Sequence, residues 1–440
     1  MNIQEMKEQV LKTINSRRDI YLKLGEEIYK NPETGYKELK TTKTLSDALK
    51  NLGFEVKDNI AYTGCRAYTN QEKQGPKIVV MWELDSVVCP AHTDSDKETG
   101  AMHACGHNIQ TTVMYGVADA LKNSGVLELL DGKIDFMAVP AEEYIELDYR
   151  ENLRKEKKIK YFAGKPELIY RGAFDDVDIC MMVHNFPISK DGFKFASYNT
   201  GNGFIGKTTK FIGKQSHAGA APWEGINALN IATVAMNCMA LQRETFKEED
   251  TVRLHQIITK GGDIVNCVPD DVRLETTVRA SNIKALKEVN EKVNTCIKGA
   301  AIALGGHTEV KDTPGQMPLK ADKNLAKLSI KEALNFYRES EIMECMKSTA
   351  SFDMGDLSLL MPVFHGITSG IEGGLHSKDY KIVNEEDAYI TPIKIMTLMV
   401  IDLLANKCEE ANRIIKEFKP EMTKEEYLKY LDSIENIYNF

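Results

Sequence analysis

No run of roughly 18 apolar residues, the least a membrane-spanning helix needs, occurs in this chain. The nearest approach, residues 393–404, is broken by Lys394 and Asp402. The first 18 residues are charged and amphipathic and lack the apolar core of a signal peptide. Nine cysteines are scattered, and none forms a Cys-x-x-Cys pair. That excludes a zinc ribbon, and an odd count is no disulfide scaffold. No basic stripe appears and the net charge is −9, which speaks against a nucleic-acid partner. The one basic cluster, residues 154–160, is diluted by Glu156 and reads as a solvated helix face. No internal repeat or low-complexity segment stands out. A soluble, cytoplasmic protein with no membrane partner is the expectation.

What remains is ordinary globular composition, 42% hydrophobic and 28% charged, at a length of 440 residues. That is too long for one typical core, so two domains are expected. Residues 3–30 carry apolar positions at helical spacing and predict a first helix, stopped by Asn31-Pro-Glu-Thr-Gly35. Residues 40–52 predict a second. Three short apolar runs follow, 77–85, 133–143 and 177–184, with helical segments between them. This pattern predicts a largely parallel sheet with helices on its faces, an α/β fold. Residues 199–312 change pattern to β-α-β-β-α-β, a ferredoxin-like unit inserted into the larger sheet. After it come helices at 324–337, 386–406 and 423–438, and a short strand near 366–368. The boundaries expected are a discontinuous catalytic domain, 1–198 with 313–440, and an inserted domain, 199–312.

The three apolar runs end on chemistry: Asp85, the pair Glu142 and Glu143, and His184. Ligands of open α/β sheets bind beyond the carboxyl ends of the strands, so these ends converge on one place. The loop Ala101-Met-His-Ala-Cys-Gly-His-Asn-Ile-Gln110 adds a thiolate donor, Cys105, two residues from an imidazole, His107. Successive strand residues face opposite ways, so Glu142 and Glu143 divide their work. One can hold a cation while the other carries a proton, the division a hydrolytic metal site needs. Gly373-Gly-Leu-His-Ser-Lys-Asp379 offers one more imidazole, His376, on a glycine-rich loop.

These segments together resemble the M20 metallopeptidase and amidohydrolase superfamily, in particular its hippurate hydrolase and N-acyl-amino-acid amidohydrolase branch. The matching stretches run along nearly the whole chain: Asn31–Gly35, Glu98–His107, Pro140-Ala-Glu-Glu143, Val183-His-Asn-Phe-Pro187, Gly213–Pro222 around His217, Asn266-Cys-Val-Pro-Asp270 and Thr277-Val-Arg-Ala280. Ser351-Phe-Asp-Met-Gly-Asp-Leu-Ser358, and the long charged insertion between Glu143 and His184, look most like the aminobenzoyl-glutamate hydrolase sub-branch. The resemblance implies two divalent cations, zinc or manganese with cobalt or nickel as options, held by Cys105, His107, Glu143, His184 and His376. It implies Glu142 as general base and then acid, His217 as a lid donor to the oxyanion, and Asn266 and Arg279 as binders of the substrate carboxylate. It also implies a lid that mediates a homodimer, and a small N-acyl amino acid or dipeptide as substrate. Cleavage of N-acyl or N-aroyl amino acids is the reading; a dipeptidase or carboxypeptidase of the same superfamily and a metal-binding, inactive regulatory subunit are its rivals. The chain leaves the family pattern at Asn108 and Gln110, where an Asp and a His are usual, and at Glu83 of Glu83-Leu-Asp85. Asn108 brings no charge to support a ligand, so altered metal preference is expected there.

Overall fold

A computed structural model describes residues 1–440. The chain divides into two compact units. The first comprises Met1–Thr200, Lys320–Lys347 and Asp356–Glu421. The second comprises Gly201–Leu319, Ser348–Gly355 and Met422–Phe440.

The first unit is built on one large mixed sheet. Strands Lys133–Val139, Lys77–Glu83, Ile179–Asn185 and Val363–Thr368 lie side by side in that order, all parallel. Lys77–Glu83 and Ile179–Asn185 are buried along their whole length, which is why they read as continuous apolar runs rather than alternating ones. Beyond this centre Ile342–Met346 also pairs parallel, with Phe195–Gly201. Glu55–Asp58 and Cys65–Thr69 extend one side antiparallel, and Phe195–Gly201 joins the other antiparallel to Val363–Thr368. Because the central strands are parallel, their carboxyl ends share one edge, which brings Glu83, Glu142, Glu143 and His184 to the same side.

Helices cover the sheet. His107–Asn123 is buried at nearly every position, as is Thr391–Leu404, so both are apolar almost all round and form the middle of the core. The helix expected over 3–30 is two helices, Ile3–Ser16 and Arg18–Tyr29. The break falls at Arg17 because its side chain turns inward to the fully buried Asp119, with Nε 2.5 Å from the carboxylate and a second contact of 2.7 Å. Tyr21 donates to the same carboxylate at 2.8 Å, so the buried charge is paired and hydrogen-bonded, as burial requires.

The second unit is a five-stranded antiparallel sheet, ordered Arg253–Lys260, Asp271–Ala280, Gly203–Ile212, His307–Pro314 and Asn436–Asn439. Burial alternates along Asp271–Ala280, the mark of a sheet with one covered face. Helices Ala228–Leu241 and Ile283–Leu304 cover it. The first four strands follow the β-α-β-β-α-β order. The fifth corrects the expected helix over 423–438: the helix stops at Ile434, and the last residues pair with His307–Pro314 instead. The domain boundaries differ correspondingly. Stretches 313–319, 348–355 and 422–440, placed with the catalytic part on sequence, belong to this unit. The physical reason is strand pairing: Asn436–Asn439 completes the sheet, and 348–355 follows its backbone, with Asn202 N donating to Ala350 O at 2.8 Å.

No single helix is long and apolar enough to cross a membrane.

Candidate metal centre

At the carboxyl edge of the parallel strands the chain turns from Cys105 into helix His107–Asn123 through Gly106, which adopts a left-handed φ of 85°. Only glycine takes that conformation without strain, and a Cβ there would lie 2.0 Å from Asn185 Oδ1. The glycine therefore serves two needs, the sharp turn and the close approach of the strand that ends at Asn185. It sets Cys105 and His107 on either side of one point.

The donors come together with Cys105 in the middle. Cys105 Sγ lies 3.5 Å from His184 Nε2. His376 Nε2 lies 2.9 Å from Glu143 Oε1. Three groups have ligand atoms all within 4.8 Å of one another: Cys105 with His107 and His184, Cys105 with Glu143 and His376, and Glu83 with His107 and Glu142. The first two share the thiol, so these residues would hold up to two divalent cations side by side. His107 Nε2 and Glu143 Oε1 are buried and make no aligned hydrogen bond. Soft sulfur, imidazole and carboxylate suit zinc and other transition metals.

Each donor is held from behind. His107 donates through Nδ1 to the Asp85 backbone carbonyl at 2.7 Å, and His184 through Nδ1 to the Asn185 carbonyl at 2.9 Å, which aims both Nε2 atoms inward. The Asp85 carboxylate accepts from the backbone of Glu142 at 3.2 Å and of Glu143 at 2.9 Å. Ala104 O accepts from His376 N at 2.8 Å. Burial pushes His184 down to about 4, so its ring is neutral. Burial and the Glu143 carboxylate push the Cys105 thiol well above its usual range, so only a nearby cation would favour the thiolate.

Several supporting residues escape a reading of the sequence. Glu38 is fully buried, and its carboxylate accepts from Ala141 N at 2.8 Å and from the Thr63 hydroxyl at 2.6 Å, fixing the turn before Glu142. Burial, with Asp85 next, raises Glu38 to about 8. Arg150, also fully buried, donates to the backbone carbonyls of Glu143 and, at 2.7 Å, of Phe162. Lys165 places its buried ammonium 2.7 Å from Glu83 Oε1. Burial alone would raise the Glu83 carboxyl, but Lys165 and then His107 outweigh it and hold it below the usual carboxylate range. Arg150 and Lys165 stand in the charged insertion, where neither carries a signal that distinguishes it from its solvated neighbours. Glu83 and Gln110 were visible only as departures. They compensate one another: Gln110 Nε2 donates to Glu83 Oε2 at 2.9 Å, and Gln110 Oε1 accepts from Glu83 N at 3.1 Å. Asn108 faces away from the donors, donating to the Tyr389 hydroxyl at 3.1 Å. His103 is buried with both ring nitrogens unpartnered and belongs to none of the three groups.

The other three candidates lie in the second unit. His217 is exposed; its Nδ1 accepts from Gly219 N at 3.2 Å and Ala220 N at 3.0 Å, which leaves Nε2 pointing away. Its strand segment pairs with Cys267, and Asn266 O accepts from Ala218 N at 2.9 Å, so His217 and the exposed Asn266 are neighbours. Arg279 stands apart from them on strand Asp271–Ala280. It donates to the Ser351 hydroxyl at 2.6 Å and lies over the Phe204 ring, 5.2 Å from its centroid.

Comparison with known proteins gives a consistent likeness. The profile of the family described as "Peptidase family M20/M25/M40" matches residues 79–402. The chain is 29% identical over 348 residues to the human protein named Xaa-Arg dipeptidase, covering 76% of this chain and 73% of that one. It is 26% identical over 336 residues to the N-acetyl-L-cysteine deacetylase of Bacillus subtilis, covering 74% of each. Among solved structures, a Bacillus subtilis protein described as a dinuclear metal binding peptidase from the M20 family superposes with a TM-score of 0.66 at 19% identity. That match covers 89% of this chain and 99% of the other.

Proposed function

The chain belongs to peptidase family M20/M25/M40, hydrolases of amide bonds, and from that premise we propose that it cleaves the amide of N-acyl or N-aroyl amino acids, aminobenzoyl-glutamate-like conjugates included. The observation that carries the reading is the pair of donor groups sharing Cys105, with Glu142 beside them and in neither. His107, His184 and Cys105 would hold one divalent cation; Cys105, Glu143 and His376 would hold the second. Zinc and manganese are the first candidates, cobalt and nickel the next. Bound there, such ions supply Lewis acidity that polarises a carbonyl and acidifies water.

Glu142 is the proton carrier. Its Oε2 lies 3.9 Å from His107 Nε2, close to the donors yet outside both Cys105-centred groups. It takes a proton from the attacking water and delivers it to the nitrogen of the leaving amine, a role worth about 10²- to 10⁴-fold in rate. Asp85 keeps the two adjacent glutamates to their separate tasks by binding both backbone amides. Arg279, whose planar fork suits a carboxylate, and Asn266 are assigned to the substrate's carboxyl end. The exposed His217 Nε2 is assigned to the oxyanion of the tetrahedral intermediate, contributed across a homodimer.

A dipeptidase is the second reading, favoured by the relative named Xaa-Arg dipeptidase. One experiment separates the readings. The protein is stripped with a chelator and reconstituted with zinc, manganese, cobalt or nickel. It is then assayed on matched N-acyl amino acids, aroyl-glutamates and dipeptides. Faster turnover of the acyl and aroyl conjugates supports the proposal, and preference for dipeptides transfers it to the second reading. Stoichiometric metal with no turnover on the whole panel would leave only a regulatory role.

A further inference from the structure

The geometry points to Glu83 as a sixth donor of the metal centre, sharing the cation of His107, with Lys165 and Gln110 fixing its carboxylate. The inference rests on the metal-dependent reading above and extends it to a residue outside the five assigned ligands.

The distances carry it. Two donors bound to one ion at about 2.1 Å each, subtending an angle near 100°, stand roughly 3.2 Å apart. Glu83 Oε2 lies 3.2 Å from His107 Nε2. The other donor pairs are spaced alike: His376 Nε2 to Glu143 Oε1 at 2.9 Å, and Cys105 Sγ to His184 Nε2 at 3.5 Å, where the longer bond to sulfur widens the gap. Yet Glu83 and His107 are not hydrogen-bonded to each other, because His107 Nε2 has no aligned partner. Nδ1 donates to the Asp85 carbonyl, which aims Nε2 toward the Glu83 carboxylate. Glu142 Oε2 stands farther off, 3.9 Å from the same nitrogen, as suits a proton carrier rather than a donor.

Glu83 is also held as a ligand is held. Lys165 Nζ takes Oε1 at 2.7 Å, Gln110 Nε2 takes Oε2 at 2.9 Å, and Gln110 Oε1 returns the contact from the Glu83 backbone at 3.1 Å. The side chains of Lys165 and Glu83 are 0% and 4% exposed, so this pair is built into the interior and no surface rearrangement is needed to offer Oε2. Lys165 offsets the negative charge that a further carboxylate brings to a centre already holding Glu142, Glu143 and Asp85.

The test measures binding rather than turnover. Wild type, Glu83→Gln and the double variant Glu83→Gln with Lys165→Met are stripped and titrated with zinc against a chromophoric chelator. They are then loaded with cobalt(II) for visible absorption. The double variant removes both buried charges together, which keeps the fold intact where the single change would strand Lys165. The expected result is two equivalents in wild type. Each variant should hold one of them at least about tenfold more weakly, with the second equivalent unchanged. The cobalt bands of the weakened site should gain intensity as its coordination falls by one oxygen. Folded variants with wild-type affinity for both equivalents and unchanged cobalt spectra would overturn the role of Glu83. A wild type that takes up no cation would instead overturn the metal-dependent reading itself, and the role of Glu83 with it.

Discussion

Replacing Gly106 with alanine is the sharpest structural perturbation of the centre, because it adds one methyl group between Cys105 and His107. Two costs add. A residue with a Cβ at φ 85° is held in the left-handed region at about 1–2 kcal/mol. The new Cβ would also sit 2.0 Å from Asn185 Oδ1 and 2.5 Å from its Nδ2, so the Asn185 amide must swing away. That amide donates to the buried Tyr380 hydroxyl at 3.2 Å, and leaving such a group unpaired costs about 1–3 kcal/mol. The sum is about 2–5 kcal/mol. Gly125 supplies the control, with a φ of 73° and nothing within 4 Å of a Cβ, so its alanine variant bears only the backbone cost, about 1–2 kcal/mol. Urea unfolding of both variants in the metal-free state, followed by tryptophan and far-ultraviolet signals, reads the difference. Gly106→Ala should unfold at clearly lower urea than Gly125→Ala and should bind zinc more weakly. Equal stability of the two variants would refute the packing of Asn185 against the Cys105–His107 turn.

Glu38 gives a pH signature. A carboxyl near 4.5 in the unfolded chain and near 8 in the fold favours folding fully below pH 4.5, and that contribution is lost as pH rises toward 8. Glu38→Gln should therefore gain on wild type across pH 5 to 8 by at most roughly 1.4 kcal/mol per pH unit, checked by denaturation at each pH. A parallel pair of curves would contradict it. Arg150→Ala should cost about 2–5 kcal/mol by leaving the carbonyls of Glu143 and Phe162 buried and unpaired, and should lower metal affinity through Glu143. Thermal unfolding and zinc titration check both effects.

The legible part of the molecule is the part where one residue type had one environment. Runs such as Ile78–Trp82 are apolar without alternation because both faces of the sheet are covered, and their polar ends fall at one edge because parallel neighbours share direction. Of the donors gathered around Cys105, Glu143 and His184 were visible at those ends and Cys105 and His107 on the loop Ala101–Gln110, while His376, on its glycine-rich loop, joined the set only through the family resemblance. What was hidden depends on partners distant in sequence. Arg17 breaks a helix whose spacing is continuous, because Asp119 lies 102 positions away. The last strand, Asn436–Asn439, is four residues long, too short for any period to show, and exists because the edge of His307–Pro314 needs a partner. The charged insertion mixes fates: Lys155 to Lys158 are solvated, while Arg150 and Lys165 are buried against Glu143 and Glu83. Nothing local separates these cations, since each is specified only by the carbonyl or carboxylate it meets. Asn108 and Gln110 looked alike as departures, yet one faces Tyr389 and the other clamps Glu83.

The central claim is that Glu142 moves the proton while its neighbour Glu143 holds a cation. Glu142→Gln tests it directly, measured for bound metal by elemental analysis and for turnover on the best substrate of the panel. The account predicts two equivalents of metal, as in wild type, with turnover lower by about 10²- to 10⁴-fold. Wild-type turnover in a fully metallated Glu142→Gln protein would contradict it.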